Sequence, residues 1–248
     1  MRYFINLAYS GANYNGWQIQ PNDPSVQQTL EAALTTVLRH PVAVTGAGRT
    51  DTAVNAAMMI AHFDADTPLN DINLLIRSLN GILPRDIAIY SIFPVHPNAH
   101  ARFDATSRTY KYYIHTRKSP FLHAHSWFCP RQLDFDLMNQ AAQLLLGKAD
   151  FTSFSKLHTD VKTNICTITH ARWTQTDPHR WVFTITADRF LRNMVRAIVG
   201  TLVDVGTHKI TLEQFRQIIA DRNRSLAGQS MPGHALFLWE ITYPYAVE

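Results

Sequence analysis

The sequence predicts an α+β protein built as two similar halves, each an antiparallel sheet with helices on one face. Three observations carry this. Apolar residues recur every two positions in some stretches and every three or four in others, and the two patterns alternate along the chain. The order before residue 104 is β, α, β, β, α, β, a split βαβ plan. After it a similar series of helices and strands returns with no low-complexity linker between. The expected halves are 1–104 and 105–248, with a cleft where they meet.

Each element has its own signal. Tyr3, Ile5, Leu7 and Tyr9 alternate with other residues as a strand does, and Ser10-Gly11 and Asn15-Gly16 break it into a loop carrying Tyr14 and Trp17. Ser25 with Gln28 reads as a capping box, followed by Leu30, Ala33, Leu34, Val37 and Leu38 on one helical face. Met58, Ile60 and Phe63 mark a strand. Ile72, Leu75, Ile76 and Leu79 mark a helix over 71–80, stopped by Asn80-Gly81, and Ile87, Ile89 and Ser91 a further strand.

In the second half Tyr110, Tyr112 and Ile114 share one face of a strand, and Lys111, Tyr113 and His115 the other. Leu137, Met138, Ala141, Leu144 and Leu145 form a helix closed by Gly147. Strands follow at about 165–173 and 181–187, with a turn over 174–178. Leu191, Met194, Val195, Ile198, Val199, Leu202 and Val203 give a helix with one core face, ended by Gly206. Its polar side carries Arg189, Arg192 and Arg196 within two turns of its start. Thr211 with Gln214 caps another helix, and 236–243 closes the chain as a strand.

Composition limits what such a fold can do. With 248 residues, 46% of them hydrophobic, the chain buries a sizeable core. Residues 1–100 hold 5 Lys/Arg against 7 Asp/Glu, whereas 101–248 hold 18 against 12. The basic excess of the later part points to a polyanionic partner. Between 102 and 131, Arg102, Arg108, Lys111, Arg117, Lys118 and Arg131 face only Asp104, with Tyr and Phe interleaved, a mixture suited to pairing phosphates and stacking bases. Cys129 and Cys166 lie far apart and outside any zinc-ligand spacing, so no metal site is expected and a reduced, cytoplasmic setting fits. Residues 1–6 have no apolar leader and no run nears ~18 apolar residues, so no membrane attachment is expected.

The stretch with chemical content is Gly46-Ala47-Gly48-Arg49-Thr50-Asp51. Two glycines spaced one apart after a β-branched run let the backbone turn and approach a partner before it delivers Arg49 and Asp51. The loop lacks a second acid for Mg²⁺ and a Walker-type lysine, which argues against a phosphotransferase. A non-catalytic RNA-binding protein of the same architecture is the other alternative.

This run, with Tyr9-Ser10-Gly11 and Gly16-Trp17-Gln18 before it and His100-Ala101-Arg102-Phe103 after it, resembles the tRNA pseudouridine synthase A family. So do Arg108-Thr109-Tyr110-Lys111-Tyr112, Asp150-Phe151-Thr152-Ser153-Phe154, Met194-Val195-Arg196-Ala197-Ile198-Val199-Gly200, and Leu236-Phe237-Leu238 with Tyr243-Pro244. The motifs stand in family order from residue 9 to 244. The resemblance implies the pseudouridine synthase fold and conversion of uridine to pseudouridine at tRNA positions 38, 39 and 40, without metal or organic cofactor, by homodimers. It implies Asp51 as catalytic aspartate, Tyr110 as the ring under the target base with a part in proton removal from C5, and Arg196 as partner of the Asp51 carboxylate. Arg49 would help extrude the base and Leu236 would wall the site. Arg102, Arg108, Lys111 and Arg192 are the further substrate-binding candidates. One departure stands out: where the family has Gly-Val-His-Ala, this chain has Ala53-Val54-Asn55-Ala56.

These residue types suit the reaction. Breaking the C1′–N1 bond and rejoining through C5 needs a nucleophile that holds one fragment while the base turns, and a carboxylate can add to uracil C6 or ribose C1′. A carboxylate withdrawn from water neutralises unless a cation holds its charge, and a guanidinium does so with two hydrogen bonds. A uridine in a stem must leave its stack, at a cost of a few kcal/mol that aromatic stacking and filling of the gap offset.

Overall fold

The structure, a computed structural model, describes residues 1–156 and 163–245. The chain divides into two compact units, Met1–Thr106 with the residues from Leu238 on, and Ser107–Phe237.

In the first unit the order is β1 (Arg2–Tyr9), α1 (Val26–Leu38), β2 (Thr45–Gly46), β3 (Asn55–Asp64), α2 (Ile72–Ile82) and β4 (Ile87–Val95). β1 pairs antiparallel with both β3 and β4. β3 and β4 therefore run parallel on either side of β1 with α2 in the crossover between them, the split βαβ arrangement expected. β2 pairs with β3, setting Gly46 opposite Ala61. Phe4, Ile5 and Leu7 of β1, Ile60 and Ala61 of β3 and Leu30 and Leu34 of α1 are fully buried.

The helix starts match the sequence better than the stops. Ser25 accepts from the Gln28 N–H at the head of α1, and Asp71 from the Leu74 N–H at the head of α2. α2 runs through Asn80-Gly81 to Ile82, so that pair is not its stop. Pro84 disfavours helix at Leu83, and the Asn80 side chain bonds both the N–H and the C=O of Ile89 at 2.8 Å, tying α2 to β4.

In the second unit β5 (Ser107–His115), β6 (Trp127–Phe128), α3 (Phe135–Gln143), β7 (Gly147–Asp150), β8 (Ile165–Asp177), β9 (Arg180–Ala187), α4 (Met194–Gly206) and α5 (Leu212–Asp221) follow. β9 pairs antiparallel with β5 and with β8, and β7 with β8. β5 and β8 are thus parallel about β9, and α3 lies in their crossover, which repeats the plan of the first unit. Gly147, at φ +97, opens β7 four residues beyond the end of α3 instead of capping it. The hairpin is tighter than 174–178: Thr174 to Asp177 remain in β8, and Asp177 accepts from the His179 N–H at 2.8 Å. Thr211 and Gln214 form the full capping box of α5.

α4 departs most from expectation. Ala197, Ile198, Val199, Thr201, Leu202 and Val205 are all fully buried, so the helix is covered round most of its circumference and not on one face. It also begins later. Asn193 has a left-handed backbone, φ 67, which sets the first helical residue at Met194. Arg189 and Arg192 therefore precede the helix, and Arg192 does not stand one turn from Arg196.

β10 (Leu236–Thr242) is the last element among the described residues. Beyond it the chain is fixed to the first unit: Tyr243 OH donates to Ala101 O at 2.6 Å, Tyr245 OH to Asp104 at 2.8 Å, and Tyr243 packs edge-on against Phe4.

The same corner holds His62, whose Nδ1 accepts from the Ala101 N–H. Burial, with the Arg2 and His100 charges, pushes its pKa down to about 4. Because the fold holds this imidazole neutral while the unfolded chain protonates near 6.5, its contribution is complete above pH 6.5 and lost as pH falls toward 4. Chemical denaturation is expected to show a loss of about 2–3 kcal/mol over that window. His62→Gln, which keeps an acceptor, is expected to flatten it.

Candidate active site

The aspartate loop hangs from the sheet of the first unit. After β2, the Ala47 N–H donates to Ile60 O at 2.7 Å, and Ala47 is buried. The chain then leaves the sheet with Gly48, exposed Arg49, buried Thr50 and half-buried Asp51. Thr50 is clamped twice: Oγ1 lies 2.8 Å from Tyr9 OH, and its carbonyl accepts from the Trp17 N–H at 3.3 Å. The Tyr9 and Gly16-Trp17 motifs thus grip the residue immediately before Asp51. Of the two loop glycines, Gly46 serves the close approach, since a Cβ there would lie 2.5 Å from the Trp17 indole, whereas Gly48 has open space around it.

After Asp51 the chain turns back, with the Val54 N–H donating to Asp51 O and the Ala53 N–H to Tyr14 O. Ala53 has φ 63, the left-handed region that glycine adopts freely and alanine at a cost of about 1 kcal/mol. This chain therefore carries alanine where the backbone favours glycine. Ala53→Gly is expected to stabilise the protein by about 0.5 kcal/mol, the relief being partly offset by the freer unfolded chain, and thermal denaturation checks it. Asn55 is 1% exposed, and its Oδ1 accepts from the Gly11 N–H at 2.9 Å. Its place is in the interior, joining the aspartate loop to the Ser10-Gly11 turn.

Arg102, also in the first unit, sits in a stiff turn. The Ala101, Arg102 and Phe103 N–H groups donate to His62 or His100 ring nitrogens, and Asp104 accepts from the His100 N–H. The Arg102 guanidinium lies 5.8 Å from the centroid of the exposed Phe103 ring.

The remaining candidates belong to the second unit. Tyr110 is on β5 opposite Ile185, half-buried, with its ring edge-on to Phe190 at 5.1 Å. Two residues on, Tyr112 is fully buried and donates to Pro232 O at 3.2 Å, and burial pushes its hydroxyl pKa upward. Arg108 donates to Asp188 O at 2.9 Å, and Lys111 lies between these positions on the alternate face. Leu236, 5% exposed, opens β10.

Arg196 is on the first turn of α4. Its Nε donates to Met231 O at 2.5 Å, and its carbonyl accepts from the Met231 N–H at 3.1 Å. The 228–231 segment is pressed onto the helix: a Cβ on Gly200 would fall 1.8 Å from Gln229 O, and the Gly228 N–H donates to Thr201 Oγ1 at 2.8 Å. Ser230 Oγ accepts from both Asn193 and Arg224. The sequence reading passed over this segment. Its only signal is Gly228 and Gly233 flanking a Gln-Ser-Met-Pro run.

Arg49, Asp51 and Arg102 thus belong to the first unit, and Arg108, Tyr110, Lys111, Arg192, Arg196 and Leu236 to the second. Comparison with known proteins adds lineage to this geometry. A family model described as tRNA pseudouridine synthase matches residues 141–244. A tRNA pseudouridine synthase A of Parabacteroides distasonis is 59% identical over 243 residues, 98% of this chain and 96% of that protein. The chain belongs to the tRNA pseudouridine synthase A family. Members from Bacteroides fragilis and Porphyromonas gingivalis are 57% and 58% identical over 246 residues, covering 98% or more of this chain and 97% or more of theirs. Family membership extends to both units, since each alignment spans nearly the whole sequence. Among the described residues no helix is long and apolar enough to cross a membrane.

Proposed function

We propose that this protein isomerises uridine to pseudouridine in tRNA, at positions 38, 39 and 40 of the anticodon stem-loop, with Asp51 as nucleophile on an everted base. The observation that carries the reading is the near full-length identity of 59% to a tRNA pseudouridine synthase A, with Asp51 present on a loop clamped at Thr50 from Tyr9 and Trp17.

In this reading Asp51 adds to uracil C6 or to ribose C1′, and the C1′–N1 bond breaks. The base turns, C5 bonds to C1′, the bond to Asp51 breaks and returns its carboxylate, the C5 proton leaves and N1 takes one up, so the reaction is an isomerisation and needs no redox partner. Tyr110 supports the base and stands near its C5 proton, and Arg196 holds the Asp51 charge with a fixed fork of donors. Arg49 fills the vacancy left in the stem, and Leu236 shapes the wall. Arg102, Arg108, Lys111 and Arg192 bind phosphates, which makes affinity fall steeply with salt. The enzyme works in the cytoplasm as a homodimer, without metal or organic cofactor.

The test is tritium release from anticodon stem-loop RNA labelled at uridine C5. Wild-type protein is expected to release tritium from positions 38–40. RNA that is bound but keeps its label would overturn the reading in favour of a non-catalytic RNA-binding protein.

A further inference from the structure

Val44 leads directly into β2, yet it lies outside any strand, and it is buried with 4% exposure. A buried residue's N–H and C=O need partners. Here they come from side chains of α1: Glu31 Oε1 accepts from the Val44 N–H at 2.9 Å, and Gln27 Nε2 donates to Val44 O at 3.1 Å. Thr35 Oγ1 accepts from the Val42 N–H at 3.3 Å. Gln27, Glu31 and Thr35 stand four apart, one stripe of a helix, and the stripe takes the place of a neighbouring strand for residues 42–44.

Gln27 does more than this. Its Nε2 also donates to Glu31 Oε1 at 3.0 Å, and its Oε1 accepts from Gln18 Nε2 at 2.8 Å and from the Ile19 N–H at 3.2 Å. All the bonds an amide side chain can make, two given and two accepted, are used. On one side lies the approach to the aspartate loop. On the other lies the 17–19 segment, whose Trp17 N–H holds Thr50 O and whose Trp17 carbonyl accepts from the Gln27 N–H at 3.0 Å. The two strips of backbone that fix the height and tilt of the loop are therefore tied to one side chain.

We infer that Gln27 and Glu31 are positioning residues for Asp51: they touch no reacting atom and set where its carboxylate stands. The inference rests on the reading of Asp51 as nucleophile. A displacement of about 1 Å at a reacting group lowers turnover up to about 100-fold with little effect on substrate binding.

The experiment compares Gln27→Leu, Glu31→Gln and Glu31→Asp with wild type in single-turnover tritium release, alongside RNA affinity and amide exchange. Gln27→Leu is expected to lower the rate 10- to 100-fold with RNA affinity within about threefold of wild type. It is also expected to speed exchange at residues 44–50 while β1 and β4 stay protected. Glu31→Gln keeps an oxygen within reach of the Val44 N–H and is expected to stay within about threefold, whereas Glu31→Asp keeps the charge but is one methylene short and is expected to lose at least about 10-fold. A folded Gln27→Leu with wild-type rate, or one whose loss is all in RNA affinity, would overturn the inference. Should Gln27→Leu not fold, the Glu31 pair decides: Asp retaining activity where Gln loses it would overturn it. If wild type itself releases no tritium, the proposed function fails. Amide exchange then decides this inference alone, unchanged exchange at 44–50 in Glu31→Asp overturning it.

Discussion

Asp51→Ala is expected to lower the single-turnover rate of tritium release by at least about 10³-fold while leaving tRNA affinity within about threefold. Removing a nucleophile removes the covalent route and not a fraction of its rate, which sets the size of the effect. In the proposed function binding is spread over many phosphate contacts, each a small part of the total, so it is expected to survive. The fold is expected to tolerate the change, since the backbone bond from the Val54 N–H to Asp51 O and the grip on Thr50 do not use the carboxylate. Asp51→Asn is the sharper control, because it keeps size and polarity and loses only the carboxylate. A residual rate within tenfold of wild type in either variant would rule out Asp51 as the attacking group.

Arg196→Ala is expected to reduce turnover by at least about 100-fold, again with tRNA affinity changed by threefold or less. A guanidinium presents parallel donors in a fixed plane, and here the bond from Nε to Met231 O fixes the orientation of that plane. Lysine cannot reproduce it, having a single mobile point charge and no second donor at the Nε position, so Arg196→Lys is expected to recover only a minor part of the rate. Both variants strand the Met231 carbonyl, which predicts a stability loss of about 1 kcal/mol beside the kinetic effect. Thermal denaturation separates the two. Equal losses of binding and turnover would assign Arg196 to tRNA capture instead of to Asp51.

Ala53→Gly bears on both results, because it alters the backbone two residues beyond Asp51 without removing a side chain that the reaction uses. If it stabilises the protein and leaves the rate unchanged, the loop is set by its Thr50 clamps and not by the strained turn after it.

What the sequence made legible follows from the range of the forces involved. Alternation in β1, the caps at Ser25 and Thr211, and the apolar stripes of α1 and α2 are short-range properties, set by neighbours within one or two turns, and they are found where the patterns put them. The motif residues were equally legible, since a spaced set of residue types in fixed order does not depend on knowing the fold.

The features that only the tertiary structure decided are of another kind. Asn80-Gly81 reads as a stop, yet it stays helical because the Asn80 side chain finds partners on β4, nine residues away and across a layer. Arg192 and Arg196 read as one helical face until the left-handed Asn193 divides them. The terminal tyrosines read as the end of the second half, but their hydroxyls bond Ala101 and Asp104. The side chains of Gln27 and Glu31 around Val44 in the first unit, and residues 228–231 around Arg196 in the second, form contacts that local pattern does not specify. By itself the sequence determined the longer elements and the family to which the chain belongs, but not the short strands β6 and β7. The settings of Thr50 and Arg196 were decided by the folded structure, because hydrogen bonds between residues distant in sequence have partners only once the chain has packed.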